Sequence, residues 1–380
     1  MNIGIVTLWG SRDNYGQVLQ NFALQTYLRI LGHDVTTIRY QEQSPDTSNK
    51  KTSIIWRIWN RILRYTPEGR KEYKEALLWV DNSIRSGERQ FDEFRDRHLK
   101  YTDVLSDYHS LQQLPFDAFI VGSDQVWNID FDSSIADYRF LKFASSKKVS
   151  YAASVGKSTL TERELRLLEE RTKGFNSISI RERDTADFIN KHSNVKAEWV
   201  LDPTFLLSAD EYADILSLKK AKTNNLFVYA LNIDRAEDIY LGELERFCGS
   251  NNLNLRLCCS SGYKPYKELS ASTCIEQLTI NQWLEAIMNA KTVVTTSFHG
   301  IAFCLIFKKS FIYIPLGDIH STANNRVISL LQYLGLSDRI VTSVGVLEVI
   351  LMSRLAIDDC ICNRLENMIS TSKKFLNNLV

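Results

Sequence analysis

The sequence predicts an α/β fold made of two Rossmann-like, doubly wound halves, and three observations carry that prediction. First, the chain opens as strand, polar loop, helix and strand. Asn2–Leu8 reads as a buried strand and Trp9–Gly16 as a polar turn with two glycines. Gln17–Leu31 places Val18, Phe22, Leu24, Leu28 and Leu31 at helical spacing before Gly32, and Asp34–Tyr40 is a second strand. That β–loop–α–β opening begins a doubly wound sheet. Second, Thr292–Phe307 repeats the logic: a β-branched run, then Ser297 as a helix N-cap, Gly300 for close approach, and an apolar helix. Third, 380 residues suffice for two domains, and a fresh strand starts at Asn225–Leu231.

The intervening elements follow in order. Lys50–Tyr65 carries five basic residues and no acidic one, with Arg57, Arg61 and Arg64 on one helical face and Trp56, Trp59 and Leu63 on the other. Such a helix suits an anionic membrane face, or packs its tryptophans on its own domain. Glu68–Lys100 is highly charged and reads as helical. Phe116–Val121, Lys148–Ala153 and Asn176–Arg181 read as strands, with Thr161–Phe175 as a charged helix between the last two. The Asp202-Pro203 step disfavours helix and marks a crossing between halves. Beyond it come a strand at Leu253–Cys259, a helix at Asn281–Asn289, a strand at Ser310–Ile314 and a helix at Arg326–Leu334. The division expected is 1–206, 207–343, and a helical segment 344–380 that packs back across both halves.

Composition excludes several classes. Net charge is +1, so no global field points to nucleic acid. Seven cysteines lack metal-ligand spacing, and reduced thiols are expected. Arg12-Asp13 follow the first apolar run too soon for a signal peptide, and no apolar run is long enough to span a bilayer, so a cytoplasmic protein is expected. The opening loop lacks the G-x-G-x-x-G spacing of a dinucleotide site. No cofactor and no metal are expected.

Polar, glycine-bearing segments gather where strands end: Asn14-Tyr15-Gly16, Gly122–Asn128, Ser154-Val155-Gly156 and Ser297-Phe298-His299-Gly300. Ligands collect at the carboxyl ends of such strands, and helix amides there favour anions. A buried histidine capping a helix would leave the same local pattern at His299. Asn14 and Gly16 could equally form a simple tight turn.

Gly122-Ser-Asp-Gln-Val-Trp-Asn128, Ser179-Ile-Arg181-Glu, Leu201-Asp-Pro-Thr204 and Thr296-Ser-Phe-His-Gly300, in this order, resemble the polysaccharide pyruvyl transferase family over roughly residues 3–340. The resemblance implies a two-domain arrangement like that of GT-B glycosyltransferases with the active site in the cleft. The 1–206 half would be the acceptor side and 207–343 the donor side. It also implies transfer of pyruvate from phosphoenolpyruvate onto two hydroxyls of one sugar, with O4 and O6 as the expected pair, in a capsular or exopolysaccharide repeat-unit precursor. Phosphoenolpyruvate would be the donor and a polyprenyl-diphosphate-linked oligosaccharide the acceptor, at the inner face of the cell membrane.

On that resemblance His299 is the acid–base group and Asp124 a second base or sugar-hydroxyl acceptor. Arg181, Ser297 and Gly300 fall on the donor side, and Asn14, Tyr15, Gly16, Gln125 and Ser154 on the acceptor side. Histidine suits a step that needs both acid and base near neutral pH. Many relatives carry Arg-Leu-His-Gly where this chain has Ser297-Phe298-His299-Gly300, so one donor arginine is absent at 297; Arg326 is the candidate replacement. Two other readings share these features: a nucleotide-sugar glycosyltransferase of the same fold, and a non-catalytic carbohydrate-binding partner of a polymer-assembly complex.

Overall fold

Strand β1 (Asn2–Val6) is the first member of a parallel sheet in a computed structural model that describes residues 1–11, 13–41, 86–233, 235–260, 275–317, 324–353 and 355–378. The basic helix expected over Lys50–Tyr65, and Glu68 onward to residue 85, lie outside the described residues. Helix α1 (Tyr15–Ile30) starts at Asn14, whose side chain accepts from the Gln17 N–H, and leads into β2 (Asp34–Tyr40). After residue 85 come a short 3-10 turn at Ser86–Arg89 and α2 (Phe91–His98). Among the described residues the charged helix expected over Glu68–Lys100 is present as α2, which ends at His98. Tyr101–Leu105, for which the sequence suggested no element, forms strand β3, an edge strand whose residues stay largely outside the core and so show no buried apolar run.

The first half continues with α3 (Tyr108–Gln112), β4 (Ala118–Val121), α4 (Ser134–Arg139) and β5 (Lys147–Ser150). It closes with α5 (Glu162–Arg171), β6 (Ile178–Ile180), α6 (Arg183–His192) and β7 (Ala197–Trp199). The five long-paired strands run β3-β2-β1-β4-β5, all parallel. Bridges Val149–Ser177 and Ala153–Ile180 join β6 to the β5 edge, and β7 pairs with β6.

The second half holds α7 (Ala209–Leu216), β8 (Asn225–Ala230), α8 (Leu241–Ser250) and β9 (Asn254–Cys259). There follow α9 (Ile280–Asn289), β10 (Thr292–Thr295), α10 (Phe298–Ile306), β11 (Phe311–Tyr313) and α11 (Asn325–Leu334). Its order is β11-β10-β8-β9, again parallel, with bridges from Tyr313 to Ile340 and from Leu257 to Ile275 at the two edges. Both sheets therefore reverse direction of growth beside their first strand: between β1 and β4, and between β8 and β10. Those are topological switch points, where the crevice outside the strand ends receives ligands. The fold is α/β, with two Rossmann-like sheets and a cleft between them.

Two last helices, α12 (Val344–Met352) and α13 (Asp359–Asn377), complete the chain. Helix α13 returns to the first half: Ser372 Oγ accepts from Leu201 N at 2.9 Å, and Tyr27 donates to Asn377 at 3.1 Å. Arg364 reaches the Leu334 carbonyl of the second half at 3.3 Å. Among the described residues no helix is long and apolar enough to cross a membrane.

Candidate active site

The cleft between the switch points has a cavity of about 320 Å³, lined by Asn14 and Gln17 from the start of α1, Asp124, Gln125 and Asn128 after β4, and Gly156 after β5. Opposite stand Leu231 and Asn232 after β8, Ser297, Phe298 and His299 after β10, and Arg326 from α11. The lining is assembled from residues far apart in the chain, each held where a strand or helix ends.

His299 sits in the first turn of α10, which Ser297 caps by accepting from the Gly300 N–H at 3.3 Å. Ser297 N in turn donates to Thr295 Oγ1, fixing the turn out of β10. Gly300 lies behind the cleft. A Cβ there would approach Thr295 Oγ1 to 2.5 Å, so its missing side chain lets α10 lie on its own strand. Gly16 plays the same part across the interface: its Cβ would come within 1.9 Å of His299 Nδ1. Only a glycine in α1 admits the imidazole. Nε2 of His299 is buried and 3.5 Å from Asp202 Oδ2, at the limit of hydrogen-bond range.

Asp202 is the fully buried hub of the site. Its Oδ2 accepts from Ser123 Oγ at 3.0 Å and from Arg181 Nη1 at 2.9 Å; its Oδ1 accepts from Thr204 N and Oγ1. Burial alone would raise its pKa, but His299 and Arg181 beside it, with the Thr204 amide, hold it well below the usual carboxylate range. The sequence reading placed Asp202 in the Leu201-Asp-Pro-Thr204 motif and at a helix-breaking step before Pro203, and gave it no role in the site. That step is the signal, since an extended residue before proline can turn its carboxylate back onto the following amide.

Arg181 is buried rather than presented to the cleft. Besides Asp202 it reaches Glu182 Oε1 at 3.3 Å and Asp124 Oδ1 at 3.7 Å. Burial would lower its pKa, yet Glu182, Asp202 and Asp124 hold it above the ordinary value. Its Nη2 has no hydrogen-bond partner among the described residues, and its guanidinium lies 4.9 Å over the Phe298 ring. Arg326 lies 5.9 Å over that ring, is half-buried among the groups of the site, and leaves its Nε unpartnered among the described residues. Its pKa is lowered by burial and by Arg181. Asp124 lines the cleft in a left-handed conformation, φ 64°, which a non-glycine residue adopts at a cost.

The structure thus brings His299, Asp124, Arg326, Ser297, Asn14 and Gln125 to one cavity. It sets others behind the wall. Ser154 is buried and donates to Glu182 Oε1 at 2.6 Å. Tyr15 does not face the cleft as expected of an acceptor residue. It is fully buried, stacks on Trp283 at 4.9 Å and donates to the Leu278 carbonyl at 2.6 Å. A ring at the first position of an amphipathic helix is drawn into the core, which a loop-by-loop reading cannot show. Arg183, next to the site in sequence, is half-exposed, pairs with Asp187 and lies over Trp199 and Tyr333.

The model of the polysaccharide pyruvyl transferase family matches residues 14–318, most of the chain and every residue of the cavity except Leu8 and Arg326. The chain belongs to that family. Membership makes it a transferase of the polysaccharide pyruvyl transferase kind. Comparison with curated proteins finds no match. Among solved structures this family member is similar to UDP-GlcNAc 2-epimerase from Methanocaldococcus jannaschii, at 10% identity and TM-score 0.48 over 98% of this chain and 100% of that one. A UDP-N-acetylglucosamine 2-epimerase from Rickettsia bellii gives 10% identity and 0.48 over 99% and 95%. The calicheamicin glycosyltransferase CalG4 gives 10% and 0.45 over 98% and 94%. Nothing about this chain's chemistry follows from those likenesses.

Proposed function

We infer that the protein is a phosphoenolpyruvate-dependent ketalase, forming a pyruvate ketal on two hydroxyls, O4 and O6, of a sugar in a capsular or exopolysaccharide repeat-unit precursor. The acceptor is taken to be carried on a polyprenyl diphosphate. One observation carries the reading: Arg326, half-buried in the cavity wall over the Phe298 ring, leaves its Nε unpartnered among the described residues, with the buried Arg181 guanidinium on the same ring behind it. Buried donors left without partners are costly. A donor bearing both phosphate and carboxylate satisfies the Arg326 fork, with Arg181 adding positive charge from behind the wall, and Arg326 supplies from α11 the cation absent at Ser297.

The chemistry needs no group beyond these. A proton is delivered to the donor methylene, making a methyl, and a sugar hydroxyl adds to the adjacent carbon. The carbon–oxygen bond to phosphate then breaks, and the second hydroxyl closes the ketal. Of the two hydroxyl protons, one balances the methyl and the other leaves with phosphate. His299, which lines the cavity, suits the proton transfers, with Asp202 3.5 Å from Nε2 orienting the ring. Asp124, across the cavity, suits the acceptor hydroxyl.

The test is incubation with phosphoenolpyruvate and a panel of glycosides, read by mass spectrometry and phosphate release. One added pyruvylidene unit is expected, and His299→Ala should reduce turnover about a hundredfold or more. Consumption of a nucleotide sugar with no ketal formed would overturn the assignment.

A further inference from the structure

A second cavity, about 410 Å³, opens beside the first and shares Leu8 and Gln17 with it. It lies at the other mouth of the β1/β4 switch point, between Trp9 after β1, Tyr40 at the end of β2, and Tyr138 and Arg139 at the end of α4. Its size falls within the roughly 300–1,000 Å³ typical of small-molecule sites. The proposed donor chemistry makes no use of it.

The lining has the composition of a carbohydrate site. Trp9 is half-buried, and Arg39 stands 5.9 Å over its ring. Tyr40 and Tyr138 are tilted against each other at 4.9 Å, and Tyr138 is pinned by donating to the Ile38 carbonyl at 2.9 Å. A pyranose ring pairs C–H faces with rigid aromatic surface and hydroxyls with fixed polar groups. The polar groups are present. Arg139 gives one N–H to Val126 O at 3.3 Å and carries further donors of its fork. Gln17 holds its Oε1 on the Ser11 N–H at 2.7 Å, which orients its amide between the two cavities. Among the described residues no carboxylate lines this cavity, in contrast to the first with Asp124.

We propose that this cavity is a subsite for the sugar unit next to the one that is modified, so that the protein acts on an oligosaccharide and reads at least two residues of it. The inference rests on the pyruvyl-transfer reading of the adjacent cavity for which sugar is modified, but not for whether a sugar binds here. The leading sugar sits by His299 and Asp124, and the following unit lies across Gln17 onto Trp9, Tyr40 and Tyr138.

The experiment compares p-nitrophenyl monosaccharides with the matching disaccharides in galacto, gluco and manno configurations. Turnover is measured with phosphoenolpyruvate, and binding by saturation-transfer NMR without it. Wild type should favour one disaccharide over its monosaccharide about tenfold or more in KM. Its non-terminal ring should receive saturation. Trp9→Ala and Arg139→Gln should each abolish most of that preference, with folding checked by thermal melting. Equal KM values for every pair, with no saturation of a second ring, would overturn the subsite; so would variants that weaken both members of a pair equally. Trp9-dependent disaccharide binding without any ketal product would overturn the pyruvyl reading and leave the subsite standing.

Discussion

At the scale of single residues, the site is governed by one carboxylate. Asp202 holds Arg181 and Ser123 on one oxygen and Thr204 on the other, and stands against His299. Removing one partner of a buried ion pair leaves the other charge uncompensated, at a cost of about 3–5 kcal/mol. Asp202→Ala should lose stability on that scale at pH 7 in urea unfolding. The pH dependence has a definite sign. A folded-state pKa below the unfolded one, as here, gives stabilisation that is complete above the unfolded carboxylate value of about 3.9 and lost as pH falls toward the folded one. The gap between wild type and variant should therefore narrow below about pH 4. An equal gap at pH 7 and pH 3 would mean that shape, not charge, sets the cost. Sequence pattern points at His299, Asp124 and Arg326 because each stands at the end of an element. Asp202 and Glu182 escape it as members of the site, since no local spacing ties residue 202 to residues 123, 181 and 299.

At the scale of elements, the strand–turn–helix unit does the positioning, and a glycine on a neighbouring helix sets the tolerance. Thr292–Phe307 is legible because a β-branched run, a serine cap and an apolar helix follow in fixed order; the structure gives β10 and α10 there, with the Ser297 cap. The contact between α1 and α10 is not legible, because nothing in Asn14-Tyr15-Gly16 names the partner 283 residues away in sequence. That contact is testable. Gly16→Ala keeps a helical backbone but drives a methyl to 1.9–2.6 Å from three atoms of the His299 ring. Overpacking of this kind costs about 1–3 kcal/mol, and a catalytic group misplaced by about 1 Å loses roughly a hundredfold in rate. Turnover should fall by that order in a folded protein. Gly242→Ala, in the open space outside α8, should instead add about 0.4–1 kcal/mol of stability by restricting the unfolded chain. Full activity in Gly16→Ala would show that the imidazole can move aside without consequence.

At the scale of the whole molecule, the same strand order appears twice, and the cleft lies between the two points where that order reverses. Two doubly wound halves are readable from the alternation of apolar strands and helices. What joins them is not, because periodicity shows which face of an element is buried and never against what. The joint is a continuous core. It holds Ile3, Leu19, Phe22 and Val35 of the first half, Phe205 and Leu206 of the crossing segment, and Phe227, Trp283, Ile301 and Phe303 of the second. The segment after Asp202-Pro203 runs through the interior, with Pro203–Leu206 buried under α1 and α10. Tyr15 stacks flat on Trp283, and Tyr229 and Phe303 meet Trp283 edge-on, so one indole ties α1 to β8 and α10. Trp283 is fully buried, and its replacement by alanine should cost about 3–5 kcal/mol. If the core is shared, that loss is felt on both sides. Native-state hydrogen exchange of Trp283→Ala should show protection falling together in β1 of the first sheet and in β8 of the second, against which α9 packs. Loss confined to β8, β9 and β10 would mean that the halves are stable separately and that the cleft opens about a true hinge.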